Sequence, residues 1–270
     1  AQDQWWVMST DTPNLGRGSD STPGPRGVIG GGNNPSVLAD IEFFTISSTG
    51  NATDYGDLTD SRGALTALAS RTRAVFACGY APGDSNVLDF ITIASGGTAQ
   101  DFGDNAASGN NGARYAPSGV SNSTRGLIGG GQSVPGGTMY TDITYITIAQ
   151  TGTINDFGDL TESTMINAGA CSNSIKGVFA DGNGVTAGRH IQAINIASTG
   201  NAQNFGDVNN TGDASRSCAN TIRGLVAIGA GDSNNIEYVT MSSLGNSVDF
   251  GDLSEARLAV GATGDKVRAV

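Results

Sequence analysis

Short runs rich in β-branched and aromatic residues punctuate the chain: Ile41-Glu42-Phe43-Phe44-Thr45-Ile46, Leu88-Asp89-Phe90-Ile91-Thr92-Ile93, Ile143-Thr144-Tyr145-Ile146-Thr147-Ile148, Ile191-Gln192-Ala193-Ile194-Asn195-Ile196 and Ile236-Glu237-Tyr238-Val239-Thr240-Met241. Each is bounded by Gly, Asn or Ser and followed by a small polar tract ending in Gly, as in Ser48-Thr49-Gly50, so each reads as a strand. Alternation puts Ile143, Tyr145 and Thr147 on one face and Thr144, Ile146 and Ile148 on the other. Both faces carry apolar groups, which predicts a strand buried on both sides.

Two marks frame every run. An aromatic-Gly-Asp element recurs at Tyr55-Gly56-Asp57, Phe102-Gly103-Asp104, Phe157-Gly158-Asp159, Phe205-Gly206-Asp207 and Phe250-Gly251-Asp252, with successive aspartates 47, 55, 48 and 45 residues apart. A basic residue followed by a small one and an apolar pair recurs at Arg26, Arg73, Arg125, Lys176 and Arg223, and starts again at Arg268. A unit of about 48 residues with three or four such strands cannot bury two faces alone, so it has to stack on its neighbours. Period and β content together favour a propeller over a solenoid, whose coils are shorter.

One blade then reads as a first strand near Ala64 to Ala69, a second from Arg73, a third from Leu88 to Ala94 and a short outer fourth around Asp101-Phe102-Gly103. Gly30-Gly31-Gly32 and Gly129-Gly130-Gly131, after the second strand, suit a tight turn with positive φ. The expected fold is a single all-β propeller over residues 1–270, with repeats at about 14–57, 58–104, 105–159, 160–207 and 208–252. Leu253 to Val270 repeats the opening of a unit, and Trp5-Trp6-Val7-Met8-Ser9-Thr10 matches a third strand without partners. A composite sixth blade from 253–270 and 1–13 would close the ring and remove its exposed edges; a piece of a longer, seven-bladed chain is the other reading.

Composition narrows the function. With 14 basic against 25 acidic side chains and a net charge of −11, there is no basic excess to hold phosphate backbones, so neither nucleic acid nor anionic membrane is an expected partner. No window approaches 18 consecutive apolar residues, and the N-terminus lacks a basic region followed by an apolar one, so neither a membrane span nor a secretory signal is expected. Three cysteines without C-x-x-C spacing and one histidine disfavour a disulfide framework, a thiolate zinc site and imidazole chemistry. An enzyme is disfavoured and no cofactor is expected.

The order of apolar pair, Gly-Gly, variable loop, apolar-aromatic strand and later aromatic resembles the kelch repeat. The wording of Arg26 to Gly32, Arg-Gly-Val-Ile-Gly-Gly-Gly, with Ile143 to Ala149 and Phe157 to Leu160, is similar to kelch-like virion proteins of tailed phages, especially those of marine bacteria. The similarity covers nearly the whole chain, but Phe or Tyr stands where kelch blades usually have Trp near the fourth strand. The resemblance implies a non-enzymatic particle protein of a tail, fibre or capsid surface, assembled in the host cytoplasm. Its implied partners are other virion proteins in a symmetric oligomer and a host-surface receptor or glycan. A free or cell-surface module binding glycan or protein is the alternative. A copper oxidase or sialidase of the propeller type is opposed by the single His and by the lack of a Ser-x-Asp-x-Gly-x-Thr-Trp box.

Residues repeated once per blade serve what every blade needs. Asp57, Asp104, Asp159, Asp207 and Asp252 are therefore read as turn carboxylates, or as partners of the repeated Arg or Lys, and not as a calcium or catalytic ring. The register cations, joined by Arg62, Arg114 and Arg257, are read as scaffold parts. Asp181-Gly182-Asn183-Gly184 lacks the closing Glu of a calcium loop, and the Gly triplets lack the Gly-Lys-Ser/Thr of a phosphate loop. His190 reads as a loop residue, Cys78, Cys171 and Cys218 as buried apolar thiols, and Trp5 and Trp6 as blade packing. Specificity is expected in the loops of variable length, Asn105 to Asn111, Gln132 to Tyr140 and Gly182 to Arg189.

Overall fold

A computed structural model describes residues 26–106, 112–133, 137–152, 154–163, 166–180, 189–210, 215–228, 233–256, 261–264 and 269–270. Their strands fall into consecutive antiparallel sheets, the blades of a β-propeller. Blade one holds β1 (Arg26–Gly30), β2 (Asp40–Thr45) and β3 (Thr53–Asp57). Blade two holds β4 (Thr66–Ala69), β5 (Arg73–Ala77), β8 (Val87–Thr92) and β9 (Gln100–Asp104), with a hairpin of β6 (Tyr80–Ala81) and β7 (Gly83–Asp84) between its middle strands. Blade three is β10 (Ser118–Ser121), β11 (Arg125–Gly129), β12 (Asp142–Thr147) and β13 (Ile154–Asp159). Blade four is β14 (Gly169–Ser172), β15 (Lys176–Ala180), β16 (His190–Asn195) and β17 (Gln203–Asp207), and blade five is β18 (Arg216–Ala219), β19 (Arg223–Ala227), β20 (Asn235–Thr240) and β21 (Val248–Asp252).

The ring has five blades, not the six expected. Past Asp252 the one further β-pairing among the described residues is a bridge of Gly264 to Ala269, flanked by reciprocal backbone bonds between Thr263 and Val270. The residues expected to finish a sixth blade, Trp5 to Thr10, and the marks Arg257 and Arg268 lie outside the described residues. The correction has a simple origin. A repeat mark shows that a unit starts, whereas a blade requires the hydrogen-bonded partners of all its strands.

The core lies between blades. Tyr55 of blade one packs with Phe76, Ile91 and Ile93 of blade two, and Phe102 of blade two with Ile128, Ile146 and Ile148 of blade three. Phe157 meets Phe179, Ile194 and Ile196, and Phe205 meets Val226, Val239 and Met241. In each joint the aromatic of one blade's outer strand points into the next blade.

The same motif explains its glycine. The carbonyls of Tyr55, Phe102, Phe157 and Phe205 accept hydrogen bonds of 2.7–2.8 Å from the N–H groups of Gly97, Gly152, Gly200 and Gly245, in the following blade's outer turn. That turn lies so near that a Cβ on Gly206 would stand 2.2 Å from the Gly245 oxygen, at a φ of +158°. Gly206→Ala is therefore expected to lose at least about 1–3 kcal/mol from backbone strain alone; an unchanged urea midpoint would refute this account of the motif. The expected positive-φ turns are present as well, at Gly31 and Gly130, both with φ +67°.

The repeated cations also join blades. Arg26, Arg73 and Arg125 donate through Nη1 to the carbonyls of Ile93, Ile148 and Ile196, at 2.7, 2.9 and 3.0 Å. Their guanidinium groups lie 4.8, 4.2 and 4.4 Å from the ring centres of Phe43, Phe90 and Tyr145 in their own blades, while the Lys176 ammonium stands 5.6 Å over Phe205. The repeated cation thus meets backbone and aromatic faces.

The turn role expected for the motif aspartates belongs instead to the residue two places before the glycine. Asp54, Asp101 and Asp249 each accept from the N–H of Gly56, Gly103 and Gly251, at 2.9–3.1 Å. Asp57, Asp104, Asp159 and Asp252 are exposed at strand ends. The backbone carbonyls of Asp57, Asp159 and Asp207 accept the N–H groups of Ala99, Ala202 and Ser247 in the next blade, at 2.7–2.9 Å.

Candidate functional site

One end of the propeller collects two kinds of connection, those between second and third strands and those that lead from one blade to the next. Isolated bridges join them: Gly63 to Tyr80, Tyr115 to Gln132, and Gln132 to Met139. This stitching brings Tyr80, Tyr115 and Tyr140, all half-buried, onto the rim of blades two and three. Tyr80 and Tyr115 meet edge to face, with ring centres 6.0 Å apart at 87°.

Arg114 anchors the corner from beneath. Fully buried, it donates through Nη1 to the carbonyls of Gly130 and Asp142, at 2.9 and 2.8 Å, and pairs through Nη2 with the Asp142 carboxylate at 3.1 Å. Its guanidinium lies 5.5 Å from the Tyr140 ring centre. Burial lowers the arginine's pKa, opposed by Cys78 and Asp142. Arg62 holds the equivalent place in blade two: it donates to the Val87 carbonyl at 2.6 Å and pairs with Asp89, with both side chains wholly buried. Burial pushes the Asp89 carboxyl above its ordinary value, opposed by the hydrogen bond from Thr59 and the charge of Arg62.

Asp89 belongs to a further repeat that the sequence reading missed. Asp89, Gln192 and Glu237 sit where the third strand slips register against the fourth. Each accepts from the chain that enters its own blade: Asp89 from Thr59 at 2.5 Å, Gln192 from the Thr161 N–H at 2.6 Å, and Glu237 from the N–H groups of Asn209 and Asn210 at 2.9 and 3.0 Å. A polar residue inside an apolar strand was the available signal, hidden because its chemistry changes from blade to blade.

The candidate loop residues have different fates. Asn105 is buried, its side-chain amide donating to the Gly112 carbonyl at 2.9 Å, and Gln132 is buried between two bridges; both are structural pins and not contact residues. Tyr140 lies on the rim, and Arg189 is exposed beside the start of β16. Asn111 and Gly182 lie outside the described residues, as does the Asp181 to Gly184 segment. Tyr80 and Tyr115 were missed, although Tyr-Ala-Pro occurs at both places.

His190 is the first residue of β16 and not a loop residue; its Nδ1 stands 3.2 Å from Asp207 and its Nε2 3.4 Å from Glu162. These contacts tie the entry of blade four to its outer strand. Among the described residues, no three His, Cys, Asp or Glu side chains converge as a metal would require.

The first strands surround an axial cavity of about 420 Å³, lined by small residues such as Ala67, Gly119 and Ala170, with Arg216 and Ser217 among its polar groups. Serines stitch these strands together. The Ser121 hydroxyl bonds both the N–H and the carbonyl of Ala69, at 3.1 and 3.0 Å, and Ser172 does the same to Ser121, at 3.1 and 2.7 Å.

Two of the three thiols are buried as expected, while Cys218 is half-buried. Burial pushes Cys78 up to about 11 and, with a smaller contribution from Cys218, Cys171 up to about 12. Iodoacetamide at pH 8 should therefore leave Cys78 and Cys171 unlabelled in the folded protein and reach Cys218 first; peptide mapping that finds Cys171 modified before Cys218 would contradict this packing.

The chain matches no protein-family profile, and no curated protein is similar to it at a significant level.

Proposed function

We propose that this propeller is a non-enzymatic virion component of a tailed phage, placed on the tail, a fibre or the capsid surface, and that its tyrosine-bearing rim makes the assembly or host-surface contact. The observation that carries the reading is the corner of Tyr80, Tyr115 and Tyr140, held by a buried, ion-paired Arg114. Half-buried tyrosines on a stiff frame give large amphipathic contact area at little cost in side-chain entropy, as contact hot spots do. The kelch-like wording of the repeat supports a particle origin, and the engagement of its cations in blade joints supports a scaffold over a catalyst. Partners under this reading are other virion proteins, in a symmetric oligomer, and a host receptor or glycan.

A second reading, a free or cell-surface module for glycan or protein, draws on the same corner, because half-buried tyrosine faces also suit sugar rings. Purified particles decide between them. The first reading expects this chain at a fixed, symmetric copy number per particle; its absence from particles sinks that reading. Either reading expects Tyr80→Ser with Tyr140→Ser to weaken partner binding by about tenfold or more, with cooperative unfolding retained.

A further inference from the structure

The two ends of the propeller carry opposite charge. Turns that join first to second strands, and third to fourth, gather at one end, here called the hairpin end. In the described blades those turns, such as 46–52, 93–99 and 196–202, hold no Asp or Glu. Arg71 lies in one of them, and the repeated cations open the second strands beside them. The opposite end is acidic. The five motif aspartates close the fourth strands there, and Asp40, Asp60, Asp84 and Glu162 join them. Among the described cations of that end, Arg62 and Arg114 are buried in ion pairs, Arg216 is half-buried at the axis, and only Arg189 is exposed.

The hairpin end also carries apolar groups that recurrence does not explain. Ile175 and Ile222 stand in the first turns of blades four and five, where blades two and three have Thr72 and Thr124, and they are 59% and 64% exposed. Leu244, in the outer turn of blade five, is 65% exposed. The two isoleucines sit on fixed backbone. Their N–H groups donate to the side chains of Asn173 and Asn220, each at 2.9 Å, and their carbonyls accept from the N–H groups of Ile196 and Met241. Asn173 also donates to the Thr221 carbonyl at 3.1 Å, which ties the two turns together. Exposed apolar side chains on backbone held this firmly mark a contact site with little ordering left to do.

We infer that the hairpin end docks, head to tail, on the tyrosine-bearing end of a second copy of this chain; the inference rests on the tyrosine corner being an assembly contact and names its partner. Complementarity selects the occupant. Cations and isoleucines on one end meet carboxylates and tyrosine faces on the other, so the contact brings opposite charges together and lays aliphatic and cationic groups on aromatic rings. Two like ends would instead set carboxylate against carboxylate or cation against cation. The isoleucines lie on blades four and five and the tyrosine corner on blades two and three, so seating one on the other turns successive copies by two blades about a shared axis. Because the two surfaces differ, each contact leaves one unused surface at either side and propagates as an open stack.

Sedimentation velocity of the full chain tests this. At about 0.1 M salt, where the Debye length is about 10 Å, the mass is expected to climb with concentration without a preferred size; at about 1 M, where it is about 3 Å, the mass should fall back to the monomer. Ile175→Ser with Ile222→Ser disables one end and Tyr80→Ser with Tyr140→Ser the other, and each double variant should stay monomeric with cooperative unfolding. Mixed in equal amounts, the two should form a dimer and nothing larger, since each keeps the end that the other lacks. A chain that stays monomeric at low salt overturns the inference, as does association that strengthens with salt, survives in either double variant, or is not restored by the mixture. A self-monomeric chain found at a fixed, symmetric copy number in particles overturns it while leaving the tyrosine rim as a contact for another virion protein, so the two readings fail separately.

Discussion

Phe157→Ala is expected to destabilise the protein by about 3–5 kcal/mol, the range for an aromatic side chain deleted from a packed core. The ring is 3% exposed, lies edge to face with Tyr145 at 6.0 Å, and packs on Phe179, Ile194 and Ile196 across the joint of blades three and four. Its backbone stays anchored through the Gly200 N–H bond, so the surroundings collapse poorly and a cavity remains. Phe157→Leu, which keeps much of the volume, should lose less than alanine does. Urea unfolding followed by circular dichroism measures both. A loss below about 1 kcal/mol for the alanine variant would place the ring outside the joint.

Asp89→Ala should be comparably severe for an electrostatic reason. It leaves the wholly buried Arg62 guanidinium without its carboxylate, and breaking one side of a buried ion pair typically costs about 3–5 kcal/mol. It also removes the acceptor of the Thr59 hydroxyl. Both side chains are wholly buried, so the pair stands in a poorly solvated place. Replacing both members with apolar residues, as in Arg62→Met with Asp89→Leu, removes the stranded charge. The double variant is expected to be more stable than Asp89→Ala. A double variant that is the less stable of the two would mean that the pair's own attraction outweighs the charge left behind.

Much of this architecture was legible in the chain because the residues that make blade joints recur at one per unit. The aromatic-Gly-Asp element and the basic mark fixed the outer and second strands, and Gln100–Asp104 forms the outer strand read from Asp101-Phe102-Gly103. The blade count was not legible, because Arg268 announces a unit whose remaining strands no local pattern can guarantee. Partner choice misled in a similar way. The motif aspartate and the repeated arginine share a period, yet the arginine reaches a main-chain carbonyl and an aromatic face, because the opposite charges sit on different strands. Tyr80 and Tyr115 escaped notice since they belong to two blades only, and a reading built on recurrence passes over what is particular. Asn105 and Gln132 were overvalued for the opposite reason: variable loop length drew attention to residues that are pins beneath the loops.

The outer-strand aromatics Tyr55, Phe102, Phe157 and Phe205 each point into the next blade in the same rotational sense, so each of these joints unites unlike surfaces, a donor and a socket. Such a molecule can gain or lose material by whole modules at any seam, leaving every surviving seam chemically unchanged. Half a module would set socket against socket. Growth by tandem duplication is thereby favoured over other kinds of insertion, and diversity between relatives of this chain should concentrate in module number and rim loops, with the seams held constant.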